Sequence, residues 1–195
     1  MPLNIPNALT WARILLIPLF LGVFYLPGSW MTLQERNLFA TVTFMLAAAT
    51  DWFDGYLARK LEQTSPFGAF LDPVADKLMV AAALIMLAEL DRISALVAFI
   101  IIGREITISA LREWMAKIGE SRSVAVSFIG KVKTAAQMAA IPLLLYHQPL
   151  GGVNVQQAGS VLIVVAVILT LWSMAFYLKM AWPLLAGKRK STRES

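Results

Sequence analysis

Apolar residues run along this chain in long blocks, separated by short clusters of Pro, Gly, Asn and charged residues. The blocks predict six membrane spans, at about 12–27, 34–57, 73–90, 93–115, 124–146 and 158–182, each near the roughly 20 residues a helix needs to cross a bilayer. Ahead of the first span, residues 2–12 mix Asn4, Pro6, Asn7 and Thr10 with apolar positions. They lack the cationic start of a cleaved signal peptide and predict a short, retained interfacial helix. The last nine residues, Gly187-Lys188-Arg189-Lys190 and the stretch to Ser195, read as a polar basic tail. No internal repeat or low-complexity tract interrupts the pattern. The expected fold is all-α: one membrane domain over 1–195, with six transmembrane helices plus the N-terminal interfacial helix.

Composition agrees and narrows the chemistry. The 195 residues are 58% hydrophobic, with mean hydropathy +0.68, and only 15% charged, well below the roughly one quarter of soluble domains. Helices use most of the chain, so any chemistry must sit on them. There is no Cys, which excludes disulfides, thiolate metal sites and Cys nucleophiles, and His147 is the single His. Any metal must therefore be held by oxygen, which favours Mg2+ or Mn2+.

Charge placement gives an orientation. With a cytoplasmic N-terminus, only Arg36 and Arg92 of the 17 Lys and Arg fall on the outer side, the asymmetry of the positive-inside rule. Both termini are expected in the cytoplasm. The net charge of +5 then belongs to a basic face beside anionic lipid headgroups, not to a nucleic-acid-binding surface.

The candidate chemistry lies where the second span ends and the third begins. Asp51, Asp54, Gly55 and Ala58 are spaced three, four and seven residues apart and share one helix face. After a loop holding Ser65, Pro66 and Gly68, Asp72 is expected to cap the third span, with Pro73 at its first position and Asp76 one turn on. Four carboxylates on facing helix ends repel unless cations relieve them. Arg59, Lys60 and Lys77 are close enough in sequence to neutralise some. Bound metal relieves all four, and acids inside membrane helices are by default functional. Gly55 and Ala58 clear space beside them, or simply allow close helix packing.

These residues resemble the CDP-alcohol phosphotransferase family. Asp51, Asp54, Gly55, Ala58, Arg59, Gly68, Asp72 and Asp76 match all eight fixed positions of its motif, spread over 26 residues. The resemblance continues through Ile5-Pro6-Asn7-Ala8-Leu9-Thr10 with Arg13, through residues 67–77, and through Arg104-Glu105 to Arg112-Glu113-Trp114. It is nearest to bacterial members that pass a phosphatidyl group from CDP-diacylglycerol to sn-glycerol 3-phosphate and release CMP. The resemblance implies a six-helix fold, often a homodimer, in the bacterial inner membrane, with a cytoplasmic cavity and a two-metal centre using Mg2+ or Mn2+. It implies that Asp51, Asp54 and Asp72 hold one metal and that Asp51, Asp72 and Asp76 hold the other, with Asp76 also the base. It places Gly55, Ala58, Arg59, Ser65 and Gly68 on the CDP part of the donor, with Asn7 and Thr10 adding contacts.

An acceptor that carries a phosphate needs cations of its own. Arg104, Arg112, Lys117, Arg122, Lys131 and Lys133 gather on the cytoplasmic ends of the fourth and fifth spans. Arg104 and Arg112 are eight residues apart, about 80° around a helix, and can border one cavity. Arg104, Arg112 and Lys131 are the expected phosphate contacts. Rival readings keep the same donor with serine, inositol phosphate or phosphatidylglycerol as acceptor, or make the acids a divalent-cation pathway. His147 reads as an outer loop residue without a catalytic part, and Tyr25, Trp30, Trp114, Trp172, Tyr177 and Trp182 as aromatics among which the interface anchors lie.

Overall fold

A computed structural model describes the backbone of residues 5–60, 66–118, 128–152 and 154–185, with side chains at 52–60 and a few helix-end positions left outside the description. Six helices follow one another: α1 (Ile5–Gly22), α2 (Leu33–Lys60), α3 (Pro66–Glu89), α4 (Ala95–Lys117), α5 (Phe128–Tyr146) and α6 (Val155–Leu185). The described residues contain no strand.

Two sequence expectations change. The N-terminal segment is no separate interfacial helix, because from Ile5 onward it is continuous with the first apolar block. Pro6 falls in its first turn, where a missing N–H costs nothing. Likewise α3 begins at Pro66, a full turn and more before Pro73. Asp72 is thus inside the helix and is not its N-cap. The interior Pro73 removes one backbone hydrogen bond but does not end the helix.

Helix ends elsewhere follow local chemistry. Ser94 caps α4, its hydroxyl accepting from the Val97 N–H at 3.3 Å. The end of α3 is a Schellman turn: Arg92 N–H donates to Leu87 O at 2.9 Å and Asp91 N–H to Ala88 O at 3.1 Å, with Asp91 at φ +55°. His147 takes the same left-handed conformation, φ +58°, just past α5.

Helix α1 packs against both α2 and α3, and α5 lies along α6. Helices α5 and α6 approach closely at Gly159, where a Cβ would stand 2.8 Å from Leu144 Cγ and 3.2 Å from Leu144 N. Phe20, Phe44, Met79, Leu84, Leu87, Ile101, Ile141 and Leu144 fill the shared core. The outside is apolar too. Leu15, Phe99, Val161 and Ile168 are each more than half exposed, which suits lipid rather than water.

Two stretches, Ala8–Tyr25 and Val155–Trp182, are long and apolar enough to cross a membrane. Only 22% of the first and 28% of the second is buried, so neither resembles the enclosed core helix of a soluble protein. The chain is a membrane protein. Tyr25, Trp30, Trp172 and Trp182 are exposed, as interface anchors should be, whereas Tyr177 is buried.

At the end of the bundle away from the acids, Arg92 ties three helices together. Its guanidinium donates to Leu144 O at 3.0 Å, Leu145 O at 2.7 Å and Asn37 Oδ1 at 2.7 Å. Burial lowers its pKa to about 10, so it stays charged at neutral pH.

Candidate active site

Asp51 lies late in α2, and Asp72 and Asp76 lie one turn apart in α3. Helix α1 presents Thr10 and Arg13 to them, three residues apart and so on one face. Arg13 is 1% exposed, and its Nη1 donates to Asp51 Oδ1 at 3.3 Å and to Asp76 Oδ1 at 2.5 Å. The buried Thr10 hydroxyl donates to Asp72 Oδ1. Three of the four motif acids are thus gathered beside one face of α1, and two of them share one guanidinium nitrogen. Asp54, Gly55, Ala58 and Arg59 belong to α2, but their side chains lie outside the described residues. Ser65 and the Asn7 side chain lie outside them as well, and Gly68 is buried near the start of α3.

Among the described residues no three acids form a closed liganding group. Asp51 and Asp76 point at Arg13, and Asp72 at Thr10. The donor set nevertheless fits a hard divalent ion: it is carboxylate oxygen throughout, and a cation already stands between Asp51 and Asp76. Both of these side chains remain open, at 48% and 40% exposure.

They open into a cavity of about 680 Å³. Arg13, Asp51, Asp76 and Lys77 line one side, Glu105, Lys133, Thr134 and Gln137 another, and Phe44, Ala47, Ile101 and Met138 supply apolar wall. Lys133 is 2% exposed and donates to Glu105 Oε1. Glu105 also accepts from Arg104 Nη1 at 3.2 Å.

Arg104 and Arg112 converge, though around an aromatic ring. Arg112 Nη2 donates to the Tyr177 hydroxyl at 2.9 Å, and the two guanidinium carbons stand 5.3 Å (Arg112) and 5.9 Å (Arg104) from the ring centroid. Arg104 Nη2 also donates to Ser173 Oγ at 3.0 Å. Neither arginine lines the acid cavity directly; Arg104 meets it through Glu105.

Lys131 lies apart from this cavity. It is exposed on α5, whereas Lys133, two positions and about 200° further round the helix, faces the cavity. Sequence reasoning had both lysines in the basic cluster and named Lys131, which is not among the residues lining this cavity. It also gave no role to Arg13. The signal was present: a lone arginine in an apolar helix, one turn from Thr10.

Comparisons with known proteins identify the family. The CDP-alcohol phosphatidyltransferase family model matches residues 3–172. A CDP-diacylglycerol–glycerol-3-phosphate 3-phosphatidyltransferase of Yersinia enterocolitica is 52% identical over 184 residues, 93% of this chain and 97% of the relative. The enzyme of the same name from Escherichia coli K12 is 51% identical over 183 residues, 93% of this chain and 96% of the relative. With Asp51 and Asp76 opening into one cavity and a match running along most of its length, the chain belongs to the CDP-alcohol phosphatidyltransferase family.

Proposed function

We propose that the chain transfers the phosphatidyl group of CDP-diacylglycerol to sn-glycerol 3-phosphate, giving phosphatidylglycerophosphate and CMP. The observation that carries this reading is the meeting of Asp51 and Asp76, from different helices, on one nitrogen at a cavity whose far wall holds the buried Lys133. Carboxylates suit a metal-bridged diphosphate, and a buried ammonium suits a phosphorylated acceptor. The relatives named for this reaction support the same assignment.

Asp51, Asp54, Asp72 and Asp76 would hold Mg2+ or Mn2+, which when bound neutralise phosphoryl oxygens of the donor and of departing CMP. Asp76 receives the proton of the attacking acceptor hydroxyl at a carboxylate oxygen. The new bond joins that hydroxyl oxygen to the lipid-side phosphorus as the bond from this phosphorus to the CMP oxygen breaks. Gly55, Ala58 and Gly68 leave room for the cytidine, and Arg59, Ser65, Asn7 and Thr10 supply polar contacts to the donor. Lys133, steadied by Glu105, takes the acceptor phosphate, with Arg104 and Arg112 adding positive charge from behind it, held on Tyr177.

All six helices cross the bacterial inner membrane in this reading, with both termini and the acid cavity on the cytoplasmic side, and the enzyme works as a homodimer. Charge asymmetry supports the orientation.

An acceptor panel tests the function. Purified enzyme with CDP-diacylglycerol and Mg2+ should release CMP rapidly with sn-glycerol 3-phosphate and only at background rate with serine, inositol phosphate or phosphatidylglycerol. Rapid release with one of the other three would reassign the acceptor, and none with any would end the transferase reading.

A further inference from the structure

We infer that Arg13 is a built-in counter-ion of the acid site, which a divalent cation must displace and which then turns to the diphosphate of the donor. The inference rests on the metal-assisted transfer proposed above and adds an exchange of cations to it.

The guanidinium occupies contested ground. Its Nη1 reaches both Asp51 Oδ1 and Asp76 Oδ1, and a cation held by those two acids would compete with it for the same carboxylate charge. Arginine cannot yield by losing its proton, since it stays charged under all relevant conditions. It also cannot escape to water, because Arg13 is 1% exposed and its helix is packed against α2 and α3. A desolvated guanidinium displaced from these two carboxylates is drawn to another anion nearby. Arg13 already lines the cavity in which the donor's diphosphate would lie. A short rotation about its own side-chain bonds replaces two carboxylates by phosphoryl oxygens, for which the planar fork is well shaped.

The exchange has a thermodynamic signature. With no nucleotide, the cation competes against an intramolecular partner held permanently at the site, so its affinity is held down. A nucleotide diphosphate gives Arg13 a new partner, and the cation and the nucleotide then favour each other, reciprocally. The packing of α1 against α2 and α3 keeps the helix seated while the Arg13 side chain moves.

Mn2+ titration followed by the electron paramagnetic resonance of the free ion, on the full-length enzyme in detergent, reads this directly. Arg13→Gln should bind Mn2+ at least tenfold more tightly than wild type in the absence of nucleotide. Adding CDP should tighten Mn2+ binding at least tenfold in wild type and no more than about threefold in Arg13→Gln. Arg13→Lys, which keeps the charge, should stay near wild type. An Arg13→Gln affinity equal to or weaker than wild type would overturn the exchange. Should Arg13→Gln unfold in EDTA, Mn2+ must restore its melting transition, because the ion then replaces the missing charge; no restoration would make Arg13 a structural ion pair only. Mn2+ binding that survives both Asp51→Asn and Asp76→Asn would instead defeat the metal site itself, and the exchange with it.

Discussion

At the scale of single residues, the difference between Lys131 and Lys133 shows what one helical step decides. Lys133 points into the cavity and pairs with Glu105, while Lys131 faces outward. Removing the Lys133 ammonium leaves Glu105 still paired with Arg104, so the fold should tolerate it. Loss of one charge-assisted contact, about 1.5–3 kcal/mol, corresponds to a roughly ten- to hundredfold rise in KM. Lys133→Gln should therefore raise KM for sn-glycerol 3-phosphate by that factor with little change for the lipid donor, and Lys131→Gln should change neither. Equal effects in the two variants would remove Lys133 from the acceptor site. Asp76→Asn keeps the shape of the carboxyl group but cannot take a proton. It should reduce CMP release by at least about a hundredfold, measured on protein whose melting temperature is retained.

His147, far from the acids, offers a readout of stability. Its pKa is lowered, first by burial and then by the charge of Arg92, and its Nδ1 has no hydrogen-bond partner among the described residues. The unfolded chain binds this proton more readily than the folded one. The stabilising contribution is therefore complete above the ordinary value of 6.5 and lost as pH falls below it. Melting in detergent between pH 7.5 and 5 should fall less steeply for His147→Asn than for wild type. Asn accepts the left-handed backbone that position 147 requires.

At the scale of helices, what was legible in the sequence depended on what limits each element. The apolar blocks located all six helices, because burial and lipid contact both demand long apolar runs. The motif spacing put Asp72 and Asp76 on one face whether or not α3 began at Pro73, since i and i+4 share a face anywhere in a helix. Boundaries were less legible. Pro73 signals a start by local chemistry, yet tertiary packing carries the helix through it from Pro66. Likewise nothing local distinguishes Lys131 from Lys133, because only the neighbours supplied by α4 settle which one is inside. The pairing of α1 with the acids depends on contacts 38 and 63 residues apart, beyond any periodic pattern.

Gly159 tests how tightly two of these helices are joined. Replacing glycine by alanine within a helix favours helix formation by about 1 kcal/mol. Here, however, the new methyl would overlap the Cγ and press on the backbone nitrogen of the fully buried Leu144, and overpacking costs roughly 1–3 kcal/mol. The second effect should win. Gly159→Ala should lower the melting temperature in detergent, and a rise would mean that α5 and α6 separate freely at this point.

At the scale of the whole molecule, the two ends of the bundle carry different chemistry. One end has the acids, the buried Lys133 and the Arg104–Arg112 pair around Tyr177; the other has Arg92 tying helix ends together through backbone carbonyls. Such polarity has meaning only if the molecule has a fixed orientation in its membrane. Helix α6, at 31 residues, would be about 46 Å long against a hydrocarbon core of roughly 30 Å. It must tilt or project, and its C-terminal end leads into the basic tail, which favours projection on the cytoplasmic side. The absence of Cys makes this directly measurable, because every introduced thiol is the only one. Ser29→Cys, at an exposed position between α1 and α2, should react with a membrane-impermeant maleimide added to intact spheroplasts. Lys117→Cys, where the native side chain is 72% exposed at the end of α4, should react only after the membrane is opened. The reverse pattern would turn the molecule over and put the acid cavity on the side away from cytoplasmic glycerol phosphate, a result that the proposed reaction could not survive.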